Sequence, residues 1–245
     1  MSLFRKKEQL DKFGKIYVNE TDSAKFEDYN RLKDNVLYMN VDGNTKVIKI
    51  ESALMSEGKT TVVSNLAVSL GLTNKKVIVV DLDFRRPKVH RMFSLSKDEG
   101  VAEYVLEDKN IEDVVKKTEY KNVDVITRGA KVYNPSLLLV SDKFKKLISE
   151  LREKYDFVFL DCAPVLQVSD YIHISKLSDG VLFLAAYGLT TKTQVFEAIK
   201  LLKQNDAKIL GTVLTMYDNK GDKIGYSKEK YYKYRYIEQS NIDEE

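Results

Sequence analysis

The sequence predicts a single α/β domain built on a parallel β-sheet sandwiched by helices. Three observations carry that expectation. Short runs rich in Val, Ile, Leu and Phe recur between stretches of helical period. Several of the runs are continuous rather than alternating, as strands buried on both faces require. The length of 245 residues, with 43% apolar and 31% charged side chains, suits one sizeable core. Repeated βα units imply right-handed crossovers and a ligand at the carboxyl ends of the strands.

In chain order, residues 1–45 read as a helical arm in which Tyr29, Leu32, Val36 and Leu37 share an apolar stripe. Residues 46–217 form the α/β domain. Its strands are expected at 46–50, 76–80, 123–126, 156–160, 180–185 and 208–214, and its helices at 59–72, 111–117, 141–154, 168–177 and 191–204. In the helix at 141–154, Phe144, Leu147, Ile148 and Leu151 fall on one face, opposite lysines and glutamates. From residue 218 the apolar periodicity stops, and 218–245 reads as a flexible tyrosine-rich tail. Six of the 15 tyrosines (Tyr217, Tyr226, Tyr231, Tyr232, Tyr234 and Tyr236) fall at or after position 217, interleaved with Lys228, Lys230, Lys233 and Arg235. Each phosphate added there would bring about −1.5 to −2 charge, so several would reverse the sign of this basic segment.

Bulk composition excludes several classes. A net charge of +3, from 40 basic and 37 acidic side chains, gives no argument for nucleic acid as partner. The single Cys162 rules out an intramolecular disulfide and fits a reducing cytosol. Two histidines and one cysteine are too few for a structural zinc site. No apolar run approaches the roughly 18–20 residues needed to span a bilayer, and the start lacks the apolar core of a signal peptide, so a cytoplasmic location is expected.

The strongest local signal is Ser56-Glu57-Gly58-Lys59-Thr60-Thr61, which follows a strand and opens a helix. A P-loop needs that context: backbone N–H groups at a helix start face phosphate, a lysine neutralises the terminal oxygens and a Thr hydroxyl binds Mg²⁺. The eight-residue pattern is incomplete, since its first glycine position holds Ala53. Carboxylates complete the set. One strand ends in Asp81-Leu82-Asp83-Phe84-Arg85, and a period of two would put Asp81 and Asp83 on one side if the strand continued that far. Another ends in Asp161-Cys162-Ala163-Pro164. Carboxylates at that sheet edge can hold Mg²⁺ or accept a proton from an attacking hydroxyl. The plainer alternative is that such aspartates cap the next helix, or that Asp83 pairs with a neighbouring arginine.

With those residues in view, the chain resembles the cytoplasmic domain of bacterial tyrosine kinases that regulate capsule and exopolysaccharide synthesis. That family joins a P-loop, here Ser56–Thr61, to a motif of three apolar residues followed by D-x-D-x-R, here Ile78–Arg85, and to a Walker B aspartate, here Asp161. The stretches at 85–93, 134–139 and 188–203 are similar too. The resemblance implies ATP and Mg²⁺ as cofactors. The loop Ser56, Glu57, Gly58, Lys59, Thr60 and Thr61 would bind nucleotide, and Thr60, Asp81, Asp83 and Asp161 would hold the metal. Lys59, Asp81, Asp83 and Arg85 would be catalytic, and Tyr226, Tyr231, Tyr232, Tyr234 and Tyr236 the acceptors of autophosphorylation. It further implies homo-oligomers, a membrane adaptor of the polysaccharide co-polymerase type that recruits the chain to the inner face of the membrane, and an opposing tyrosine phosphatase. The family's E-x-x-R-x-x-R oligomerisation pattern, aligned on Glu27, meets Asn30 and Lys33 here. Its Pro-Gly before the loop glutamate is Met55-Ser56, and Ala186 and Thr215 stand where arginine and asparagine are frequent. Two other readings stay open: a catalytically weak or inactive scaffold of the same fold, and a partitioning-type ATPase switch. The latter's extra loop lysine would fall at Leu54.

Overall fold

A computed structural model describes residues 15–18 and 23–217 of the chain. The five acceptor tyrosines expected at 226–236 and the rest of the expected tail lie outside the described residues, as does most of the arm before residue 23.

Among the described residues seven strands form one sheet: β1 (Val47–Ser52), β2 (Val77–Asp81), β3 (Lys116–Lys117), β4 (Val123–Ile126), β5 (Phe157–Asp161), β6 (Gly180–Ala186) and β7 (Ile209–Thr215). Their spatial order is β3-β4-β2-β5-β1-β6-β7, and every neighbouring pair is parallel except β3–β4. The sheet is therefore mixed at one edge. The helix expected over 111–117 accounts for the difference: it stops at Val114, Val115 turns extended, and Lys116 and Lys117 pair antiparallel with Val125 and Asp124.

The central strands are buried on both faces, as their unbroken apolar composition demands. On one face Ile48, Ile50, Val77, Val79, Phe157 and Phe159 meet Val63, Leu66, Ala67 and Leu70 of α2 (Lys59–Gly71). On the other, Val47, Ile78, Val80, Val158 and Leu160 meet Phe144, Leu147, Ile148 and Leu151 of α7 (Asp142–Lys154), the apolar face read from the sequence. Ser141 caps α7 by accepting the Phe144 N–H at 3.1 Å. A third cluster joins Val181 and Phe183 of β6 to Ala198 and Leu202 of α9 (Lys192–Gln204). Burying each such side chain contributes roughly 1.5–3 kcal/mol.

Helix α1 (Ser23–Met39) packs on α2 through buried Val36 and partly buried Tyr29, Leu32 and Leu37, the expected stripe. Short helices α3 (Val89–Met92), α4 (Val101–Leu106), α5 (Ile111–Val114), α6 (Pro135–Val140) and α8 (Tyr171–Ser175) complete the order. Of these, α3, α4 and α6 are too short to leave a periodic signal, and α8 is half the length expected over 168–177. Among the described residues no helix is long and apolar enough to cross a membrane.

Candidate nucleotide site

The register of the sheet sets the site. β1 leads into the loop at 53–58, and α2 leaves that loop at Lys59. β5 lies directly beside β1, and β2 beside β5, so Asp81 and Asp161 are register partners at the same carboxyl edge. The loop turns through two left-handed residues, Ser56 (φ 64°) and Gly58 (φ 91°). Glycine adopts that conformation freely, while a serine there carries a cost of about 1–2 kcal/mol.

Side chains converge from three elements. Lys59, buried, donates from Nζ to Ser52 Oγ at 2.8 Å. Thr60 Oγ1 donates to Asp161 Oδ2 at 2.7 Å, joining the helix start to the end of β5. The other oxygen, Asp161 Oδ1, is buried and has no hydrogen-bond partner among the described residues. Burial pushes the Asp161 carboxyl up to about 7, against the Thr60 bond and the charge of Lys59. Burial, and next the neighbouring Asp161, push Asp81 well above the carboxylate range.

The two aspartates of the D-x-D-x-R stretch do not share a face. β2 ends at Asp81, so strand alternation does not reach Asp83. Asp81 is fully buried and caps its surroundings: Oδ1 accepts the Asp83 N–H at 3.2 Å and Oδ2 the Val89 N–H of α3 at 3.1 Å. Asp83 sits in the following turn, its Oδ1 accepting the N–H groups of Arg85 and Arg86 at 3.2 and 2.9 Å. The capping role of such aspartates is thus real, and Asp83 alone of the pair borders open space.

That space is a cavity of about 240 Å³ lined by Ser56, Gly58, Lys59, Thr60 and Thr61 of the loop and helix start and by Asp83, Arg86 and Lys88 across from them. Met55, Pro164 and Met216 complete its lining. Arg85 does not line it; its guanidinium pairs with buried Asp170, which also accepts the Ser136 hydroxyl at 2.8 Å. Nor does the Glu57 side chain, which is buried and turned toward β6. Arg86 and Lys88 escaped the sequence reading because a basic pair after a strand carries no period or spacing that fixes its direction. A larger cleft of about 490 Å³, lined by Lys76, Lys117, Lys121 and Tyr155 among others, lies by the amino ends of β2 and β4. The smaller cavity holds the convergent groups, at the edge where open α/β sheets take ligands.

The donor set suits a phosphate-bound Mg²⁺. Among the described residues no three His, Cys, Asp or Glu side chains form a ready-made ion cage. Mg²⁺ instead takes one or two protein oxygens and completes its shell with waters and phosphates. The Thr60 hydroxyl and the unpartnered Asp161 oxygen fit that demand.

Strand, glycine-containing turn and a helix opening with Lys-Thr, facing an aspartate on the adjacent parallel strand, define the P-loop nucleotide-binding class. Comparison narrows the class. The AAA domain family matches residues 45–212. The tyrosine-protein kinase YwqD of Bacillus subtilis is 34% identical over 199 residues, covering 81% of this chain and 84% of that protein. The kinase domain of the Escherichia coli tyrosine kinase ETK superposes with a TM-score of 0.70 at 31% identity, covering 75% of this chain and 72% of that one. The septum site-determining protein MinD of Pyrococcus horikoshii, complexed with Mg-ADP, follows at a TM-score of 0.62 and 25% identity, covering 76% and 75%. This chain belongs to the bacterial tyrosine-protein kinases of the P-loop type. It spans 27% of the length of the larger kinase Etk of Escherichia coli strain K12, one of the curated relatives it matches.

Proposed function

We propose that the chain transfers the γ-phosphoryl group of ATP to tyrosine hydroxyls, with Tyr226, Tyr231, Tyr232, Tyr234 and Tyr236 of its own C-terminal segment as acceptors. The observation that carries this reading is the Thr60–Asp161 bond beside Lys59, which joins a helix start, a lysine and a buried carboxylate at one sheet edge. Bound Mg²⁺–ATP supplies the phosphoryl group and the metal's neutralising charge. Backbone N–H groups of residues 56–60 and Lys59 hold the phosphates. Thr60 and Asp161 would be the metal's protein oxygens, while buried Asp81 holds the turn after β2 by accepting the Asp83 and Val89 N–H groups. Asp83 borders the cavity and takes the phenol proton as the tyrosine oxygen bonds to the γ-phosphorus and the bond to ADP breaks. Arg85 acts at one remove, tying the Asp83 turn to Asp170.

Regulation of capsule or exopolysaccharide synthesis, a membrane adaptor of the co-polymerase type, homo-oligomers and an opposing phosphatase belong to the same reading, on the family resemblance. A non-catalytic scaffold is a second reading, favoured by Ser56 in a left-handed conformation beside the phosphate space. The partitioning-type switch lacks its loop lysine: Leu54 packs against the third apolar cluster.

Intact mass after incubation with Mg²⁺–ATP, with and without the adaptor's cytoplasmic segment, tests the proposal. Successive phosphoryl increments mapping to Tyr226–Tyr236 and absent from Lys59→Met are expected. A folded wild-type chain that gains no mass under either condition turns the reading to the scaffold.

A further inference from the structure

An acidic side chain in a phosphate-binding loop would repel its ligand, yet Glu57 stands between Ser56 and Gly58. The fold resolves this by turning the carboxylate inward. Glu57 is fully buried, and both oxygens are occupied. Oε2 accepts the Leu54 N–H; Oε1 accepts the Ala186 N–H at 3.1 Å and the Thr190 hydroxyl. The Glu57 carbonyl in turn accepts the Thr215 hydroxyl at 2.7 Å. One loop residue is thereby fastened to the loop's own start, the end of β6, the turn before α9 and the end of β7.

Those anchors are themselves held. The N–H groups of Leu189 and Thr190 return to the Ala186 carbonyl at 3.2 and 3.1 Å, and the next residue, Thr191, caps α9 in a reciprocal pair with Gln194. The Thr215 carbonyl accepts the Tyr187 N–H at 2.9 Å. Stripping a buried carboxylate of its donors is costly, so the loop conformation and the 186–190 turn stabilise each other.

We infer that Glu57 is a positioning residue of the nucleotide site. Its carboxylate braces the loop against the 186–190 turn, so the N–H groups of residues 56–60 face the phosphates before nucleotide arrives. The brace matters in this chain because Ser56 holds a left-handed backbone that a free loop would abandon. The assignment rests on the nucleotide reading of the site and deepens it. Its signature is weakened binding through lost preorganisation, with the cavity-lining groups untouched.

The test titrates a fluorescent ATP analogue with Mg²⁺ into the full chain, well below each variant's unfolding midpoint. Wild type, Lys59→Met, Glu57→Ala, Glu57→Gln, Thr190→Val and the Glu57→Ala/Thr190→Val double variant are compared. Glu57→Ala should weaken binding by about tenfold or more, and Thr190→Val by roughly threefold. Glu57→Gln, keeping one acceptor oxygen, should fall between them. The double variant should bind no worse than Glu57→Ala, since Thr190 acts through the carboxylate. Hydrogen exchange of the nucleotide-free variants should quicken at residues 54–60 and leave β5 and α7 unchanged; quickening throughout the sheet would instead mark a general structural role and overturn the inference. So would a folded Glu57→Ala within about twofold of wild type. Should Glu57→Ala fail to fold, wild-type affinity in Thr190→Val overturns it. Absence of binding by wild type itself overturns the nucleotide reading beneath it, separately from Glu57.

Discussion

Asp161→Asn tests the electrostatics of the site in the nucleotide-free protein. Asp161 is 1% exposed, lies opposite Asp81 in register, and keeps one oxygen without a partner. Burial lifts its carboxyl from an ordinary 3.8 to about 7. Between those values the native state holds a proton that the unfolded state has released, so native stability falls as pH rises through the window. At ~1.36 kcal/mol per unit, the full effect is roughly 4 kcal/mol, of which about 2–3 kcal/mol develops between pH 5 and pH 8. That is a large share of a typical stability of about 5–15 kcal/mol. The asparagine side chain cannot ionise, yet keeps an acceptor for the Thr60 hydroxyl. Urea unfolding without Mg²⁺ or nucleotide should show the variant gaining about 2–3 kcal/mol on wild type as pH rises from 5 to 8. A residual slope should persist in the variant, because burial raises Asp81 in the same direction. A gap between the two proteins that stays constant across that range would refute the reasoning; Asp161 would then be ionised throughout, held so by Lys59 and Thr60.

Two loop substitutions should act in opposite directions. Gly58→Ala places a Cβ no closer than 3.8 Å to Thr215, so its cost is the backbone's alone, about 1–2 kcal/mol at φ 91°, read as a lowered melting midpoint and weaker ATP binding. Ser56→Gly relieves the same strain and should gain up to about 1 kcal/mol after the entropy of the added glycine, measured by the same unfolding curves. Arg85→Ala leaves Asp170, whose side chain is 3% exposed, without its cation, and should cost about 1–3 kcal/mol, discounted because Arg85 is itself half exposed. Combining it with Asp170→Asn should cost less than the sum of the two in urea unfolding. Lys59→Met removes one hydrogen bond, to Ser52, and should abolish nucleotide retention while shifting the melting midpoint by only a few degrees.

Six of the seven strands, the three 13-residue helices and the loop were legible in the sequence, whereas β3 was not. Unbroken β-branched runs such as VIVV, four or five residues long, suit a strand buried on both faces. The period of Phe144, Leu147 and Leu151 admits only a helix resting on the sheet. Gly58-Lys59-Thr60 after a strand marks a phosphate loop, because backbone conformation and charge there are local properties. Tertiary structure alone decided where the side chains point. Whether Asp83 continues the face of Asp81 depends on where β2 stops, and at that point the Asp81 carboxylate accepts the N–H of Val89, eight residues later. Glu57 reads as a loop residue among phosphate ligands until β6 and β7 arrive to supply its donors, 129 and 158 residues further on. Arg85 and Arg86 are indistinguishable as neighbours; Asp170, 85 residues away, draws Arg85 out of the cavity and leaves Arg86 to line it. Local periodicity fixes which face a residue occupies within its element, whereas the partners of a buried charge come from distant chain that only packing brings near.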